Sequence, residues 1–168
     1  MKQMFDFNIL LPIGILLVQA FILLAVCLYV LRKTNLIALP FGGMEYSQAI
    51  FAAACLISLF IISTAAVGAT FQTYKTYNAQ DIPIIKGLLG KSGQFLLVIL
   101  IFETLLGALI YLVSKLLLGT RNFMEELNSG NIPLSIFIAV ISICFSIVLQ
   151  QMSKEVIEYI TPHYLNFR

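Results

Sequence analysis

Residues 95–118 read FLLVILIFETLLGALIYLVSKLLL. Apart from Glu103 and a few hydroxyls, the run is apolar until Lys115 near its end. At about 1.5 Å of rise per residue, a helix of this length crosses a hydrocarbon core about 30 Å thick. Working outward, residues 9–31, 47–71 and 132–150 form three further windows of the same kind. Long continuous apolar runs predict helices. A membrane barrel would instead show segments of about 10 residues alternating polar and apolar. Across all 168 residues the apolar fraction is 60%, only 11% are charged, and the mean hydropathy is +0.98. A water-soluble domain of this size could not cover so much apolar surface. The sequence therefore predicts an all-α integral membrane protein, a single membrane domain with four transmembrane helices. The first window is read as a spanning helix rather than a cleavable signal, because Arg32 and Lys33 follow it where small residues would be needed.

Between the windows the sequence predicts loops over 32–46, 72–94 and 119–131. Pro40, Gly42 and Gly43 break the first, and Arg121, Glu125 and Glu126 lie in the third. The second is the longest and carries Lys75, Asp81, Lys86 and Lys91. Its stretch 82–89 is too short to span and is expected to lie at the interface or cover helix ends. Beyond Gln150 the polar residues Lys154, Glu155 and Glu158 imply that the last helix continues into water as far as Pro162. Aromatic residues gather at the window ends: Phe5, Phe7, Tyr29, Tyr46, Phe71, Tyr74, Tyr77, Phe95, Tyr111 and Tyr159. Such rings favour the headgroup level and read as anchors. Cytoplasmic termini would place Lys2, Lys75, Lys86, Lys91, Lys154 and Arg168 inside, against Arg32, Lys33, Lys115 and Arg121 for the reverse, which favours termini inside.

The chain also shows an internal resemblance. Tyr29 to Lys33 (YVLRK) is similar to Tyr111 to Lys115 (YLVSK), and each is followed by a polar loop with acidic residues and a second apolar window. Ala54, Ser58 and Ala65 correspond to Ser135, Ala139 and Ser146 at an offset of 81. This predicts two parallel hairpin repeats, about 9–71 and about 95–150, related by an axis along the membrane normal.

Among candidate functional residues Glu103 stands first, because no other acid falls deep within a window. An ionised carboxylate at the bilayer centre costs at least about 2.5 kcal/mol, so it must face the bundle, meet water or be protonated. On a helix, Gly107, Ile110 and Ser114 share its stripe. Glu103 is thus either an ion- or proton-binding carboxylate or an interhelical hydrogen-bonding link, with Gln19, Ser58, Ser63 and Ser114 as available polar partners. A second pattern is the run of small residues Ser135, Ala139, Ser142, Ser146 and Ser153 on the last helix, matched by Ala54, Ser58, Ala65 and Ala69 on the second. In lipid, where apolar contact alone drives no association, small residues mark faces of close helix packing. Lining of a pore by the serines is the alternative.

Catalysis is not expected. The lone histidine, His163, falls in the tail, so the bundle cannot supply two histidines to a haem, and no Walker loop or metal-ligand spacing is present. Cys27, Cys55 and Cys144 lie inside windows without paired spacing and read as small apolar residues. No cofactor and no metal are expected. A net charge of +2, with no basic run longer than two residues, argues against nucleic acid as a partner.

Residues 125–139, EELNSGNIPLSIFIA, and more loosely 44–54, MEYSQAIFAAA, resemble the hairpin unit of the YjfL-like family of bacterial inner-membrane proteins. Ser47 stands where the family pattern has Asn. The resemblance implies a four-helix protein of the bacterial inner membrane and supplies no activity. Residues 97–111, LVILIFETLLGALIY, are similar to the carboxylate helix of rotary-ATPase proteolipids, although the glycine-rich helix of those proteins has no counterpart. Two functions follow as expectations. One is a non-catalytic subunit or scaffold that joins copies of itself or other membrane subunits through the small-residue faces. The other is an ion or proton channel or transporter component using Glu103.

Overall fold

The computed structural model describes residues 7–33, 45–79 and 84–161. Of the residues singled out above, Lys2, Phe5, Pro40, Gly42, Gly43, Asp81, Pro162, His163 and Arg168 lie outside the described residues. The elements are α1 (Phe7–Lys33), α2 (Tyr46–Ser63), α3 (Ala65–Ala79), α4 (Ile84–Leu118), α5 (Phe123–Asn128) and α6 (Ile132–Ile160). Four spans are long and apolar enough to cross a membrane: α1, α2 with α3, α4 and α6. The protein is an all-α, multi-pass membrane protein.

Cross-helix contacts fix the directions. Ser47 Oγ donates to Leu127 O (2.5 Å), Ser58 and Ser142 Oγ lie 3.0 Å apart, and Gln150 Nε2 donates to Thr64 Oγ1 (3.3 Å). The α2–α3 span and α6 therefore run side by side in the same sense. Gln19 meets Ser92, whereas Lys91 Nζ reaches Ile160 O at the far end of α6 (2.9 Å). Hence α1 runs with α4, and both run against α6. The bundle goes up, down, up, down, and its most extensive seam joins α2 to α6. Ala54, Ser58, Ser135, Ala139, Ser142 and Ser146 are all buried, as is Ala65 at the start of α3. Small side chains let two backbones approach closely, so dispersion and interhelical hydrogen bonds hold this seam. Within the folded chain these small-residue faces of α2 and α6 are turned against each other.

The helices also extend past their hydropathy windows. The loop expected over 72–94 is largely helical, since α3 continues to Ala79 and α4 starts at Ile84. Stretch 84–89 is thus the start of a spanning helix rather than a separate interfacial segment. Polarity misled the reading here, because Thr70, Thr73 and Thr76 are fully buried within the bundle. Thr70 and Thr76 donate to the carbonyls of Ala66 and Gln72 on their own helix (2.9 and 3.0 Å). The third loop likewise contains α5, capped by Asn122, whose Oδ1 accepts from Met124 N (3.1 Å). Within the second window, the helix is interrupted at Thr64. Ser63 Oγ donates to Leu59 O and Thr64 Oγ1 to Ile61 O (both 2.6 Å), back-bonding that competes with the ladder and bends helices.

Two of the expected anchors are misplaced by the sequence reading. Phe95 and Tyr74 are buried within the bundle, whereas Tyr29, Tyr46, Tyr111 and Tyr159 are exposed. Gly119 ends α4 and Gly130 precedes α6 at φ +60° and +79°, a conformation glycine adopts without Cβ strain. Asn131 caps α6, accepting from Leu134 N (3.2 Å) while its Nδ2 donates to Glu126 Oε2 (3.0 Å).

Candidate functional site

Glu103 sits near the middle of α4 and lines a partly open cavity of about 400 Å³ between α1, α2, α4 and α6. Leu23, Cys27 and Leu31 come from α1, Cys55 and Leu59 from α2, Leu100 and Gly107 from α4, and Ser142 from α6. Each element reaches the site for a local reason. Leu23 and Leu31 form the inward stripe of α1, two turns apart. Gly107, one turn beyond Glu103, has no side chain, and a Cβ built there meets nothing within 4 Å, so the wall stays open. Ser142 is held by the α2–α6 seam through Ser58.

The Oε1 atom of Glu103 is buried and has no hydrogen-bond partner among the described residues. Leaving a buried acceptor unpaired costs on the order of 1–3 kcal/mol, so native structures seldom do so without a reason. The four polar residues expected as partners are engaged elsewhere. Gln19 Nε2 donates to Ser92 O and Oγ (2.9 and 2.7 Å), and Ser58 pairs with Ser142. Ser63 and Ser114 donate back to Leu59 O (2.6 Å) and Ile110 O (2.8 Å) on their own helices. Thr104, beside Glu103, donates to Leu100 O (2.8 Å).

A second cavity, of about 650 Å³, adjoins the first through the shared wall residues Val30, Leu31, Cys55, Gly107 and Ile110. It extends toward the α4–α5 connection, where Lys115, Arg121 and Asn122 line it. Arg121 is paired with Glu126 (3.3 Å). The Glu103 cavity and this second one thus lie on either side of a common wall, the second ending at Lys115 and the Arg121–Glu126 pair.

Sequence reasoning missed Cys27 and Cys55 as neighbours of Glu103. They come from two different helices, and no spacing along the chain could announce that they converge. No group of three or more His, Cys, Asp or Glu able to hold a metal ion occurs among the described residues. Chemically, the site offers one carboxyl group in a mostly apolar chamber. It can hold a proton or pair with one positive charge. Comparison with family models, curated proteins and solved structures finds no match for the chain.

Proposed function

We propose that this membrane protein binds a proton or a monovalent cation at Glu103 and acts as a channel or transporter component. The buried, unpartnered Oε1 of a residue that lines a cavity carries this reading. A carboxyl serving only to tie helices together would be hydrogen-bonded, since an interhelical link works by satisfying both partners. Glu103 lines a cavity, and no neighbouring hydroxyl or amide answers its Oε1. The test is flux in liposomes reconstituted with purified protein. Glu103→Gln should abolish a proton or cation flux seen with the unaltered chain, while the variant purifies with the same hydrodynamic size. Equal flux from both proteins would refute the proposal.

A second reading, a subunit that docks on other chains or copies of itself, draws support from α1. Only 11% of its most apolar window is buried, against 44% for the α2–α3 span. The outward face of α1 carries Leu17, Val18 and Phe21, so a partner helix would lie there rather than on the small-residue seam. Mass measurement in mild detergent tests this: a single chain at all concentrations would refute self-association. We further propose that the protein resides in a bacterial inner membrane with cytoplasmic termini and belongs with the YjfL-like proteins. The support is the residue 125–139 stretch and the distribution of lysines.

A further inference from the structure

We infer that the Glu103 cavity takes a lipophilic organic cation, an ammonium or phosphonium centre bearing apolar groups, in competition with a proton. This rests on the reading of Glu103 as a binding group and adds the class of ligand. Size is the first argument. About 400 Å³ falls in the range of small-molecule pockets, roughly 300–1,000 Å³, and far exceeds what one dehydrated metal ion occupies.

Donor chemistry is the second. Hard inorganic cations need a shell of several oxygens. Here the lining side chains offer one carboxyl group and the hydroxyls of Thr104 and Ser142, fewer oxygens than such a shell takes. An organic cation needs one counter-charge and apolar contact. Leu23, Leu59, Leu100 and Leu106 supply the contact. No Lys or Arg lines the cavity, so one negative charge is matched by one positive. The titratable groups facing Glu103 across it are the thiols of Cys27 on α1 and Cys55 on α2, while α6 contributes Ser142.

Access is the third. Val26 and Val30 on α1 and Thr104 and Gly107 on α4 line the cavity and are exposed, so it opens between these two helices. The adjoining cavity at the loop end is lined by Lys115 and by Arg121, the latter paired with Glu126. A ligand that first partitions into the bilayer reaches Glu103 between α1 and α4.

Equilibrium dialysis of the purified full chain with labelled tetraphenylphosphonium tests the inference, alongside infrared detection of the Glu103 carboxyl band by difference from Glu103→Gln. Saturable binding is expected that weakens as pH falls, is at least about tenfold weaker in Glu103→Gln, and removes the protonated band in the unaltered chain. Gly107→Leu, which extends a side chain into the open space, should weaken tetraphenylphosphonium more than tetramethylammonium. Equal binding by the unaltered chain and Glu103→Gln overturns the inference. So does a Glu103 band that titrates with pH while tetraphenylphosphonium neither binds nor alters it, an outcome that leaves the proton-binding reading standing. A carboxyl band that never titrates, together with unchanged flux in Glu103→Gln, removes that underlying reading as well.

Discussion

Replacing Glu103 by Leu separates a structural carboxyl from a functional one by the sign of its effect on stability. In the folded chain the Oε1 atom is buried without a hydrogen-bond partner, and the residue lines a chamber walled mostly by apolar side chains. Removing an unsatisfied buried acceptor recovers its desolvation penalty, about 1–3 kcal/mol. Leu also fills part of a cavity of about 400 Å³ and gains dispersion contacts with Leu23, Leu59 and Leu100. On insertion scales Leu at a helix centre is favourable by about 0.3–0.6 kcal/mol, whereas an acidic residue such as Asp is unfavourable by about 2.5 or more. All three contributions have the same sign. Glu103→Leu should therefore stabilise the bundle by roughly 1–3 kcal/mol while eliminating ion or ligand binding. Equilibrium unfolding in mixed micelles, or steric trapping in bicelles, measures the change. Glu103→Gln, which keeps the shape and a polar end, should fall close to the unaltered protein. A loss of about 1 kcal/mol or more in Glu103→Leu would mean that the carboxyl holds the helices together through hydrogen bonds. Glu103 would then be a structural link between helices rather than a binding group.

Other substitutions test the packing that presents the site. Ser142→Leu forces a branched side chain into a seam where Ser58 and Ser142 are fully buried with their hydroxyls 3.0 Å apart, and overpacking should cost about 1–3 kcal/mol. Ser142→Ala removes only the hydrogen bond and should cost about 0.6 kcal/mol; equal losses from the two changes in the same unfolding assay would show that the seam is not tight. At Gly87 a Cβ would approach Tyr77 Cε2 at 2.6 Å, whereas at Gly90 it meets nothing within 4 Å. Gly87→Ala should therefore be destabilising unless Tyr77 is also cut to Ala, and Gly90→Ala should stabilise α4 by up to about 1 kcal/mol; a thermal scan in detergent that ranks them the other way contradicts the α3–α4 packing. Asn131→Ala deletes the α6 cap and its bond to Glu126, for an expected loss of about 1 kcal/mol, and amide exchange at the first turn of α6 should rise with it.

How far the sequence announced this arrangement follows from what each signal measures. Hydropathy reports which residues tolerate lipid, so the four spans were legible. Helix length depends instead on packing, and α3 runs on to Ala79 because buried Thr70, Thr73 and Thr76 face the bundle rather than water. A lone acid in an apolar run identifies itself, and Glu103 was found that way. Its surroundings were not legible, because they depend on the rotation of α4 about its axis and on the competing carbonyls available to each hydroxyl. Gln19, Ser63 and Ser114 each found a carbonyl acceptor, two of them on their own helices, and none reaches Glu103.

The two sides of the bundle divide the work differently. On one side α2 and α6 bring small residues into contact and leave little space; on the other, α1 lies loosely against α4 with cavities beside it. Without a hydrophobic drive between helices, a spanning helix is held by packing and hydrogen bonds. A direct polar tie between α1 and α4 runs from Gln19 to Ser92, roughly three turns along α4 from Glu103. A chamber that admits a ligand must leave apolar surface without partner atoms, so it forfeits dispersion energy there. Placing that loss beside the weakly packed helix spares the α2–α6 seam, which holds Ser142 at the chamber's back wall through Ser58. Movement of α1 would then open or close the space around Glu103 while the seam stays intact.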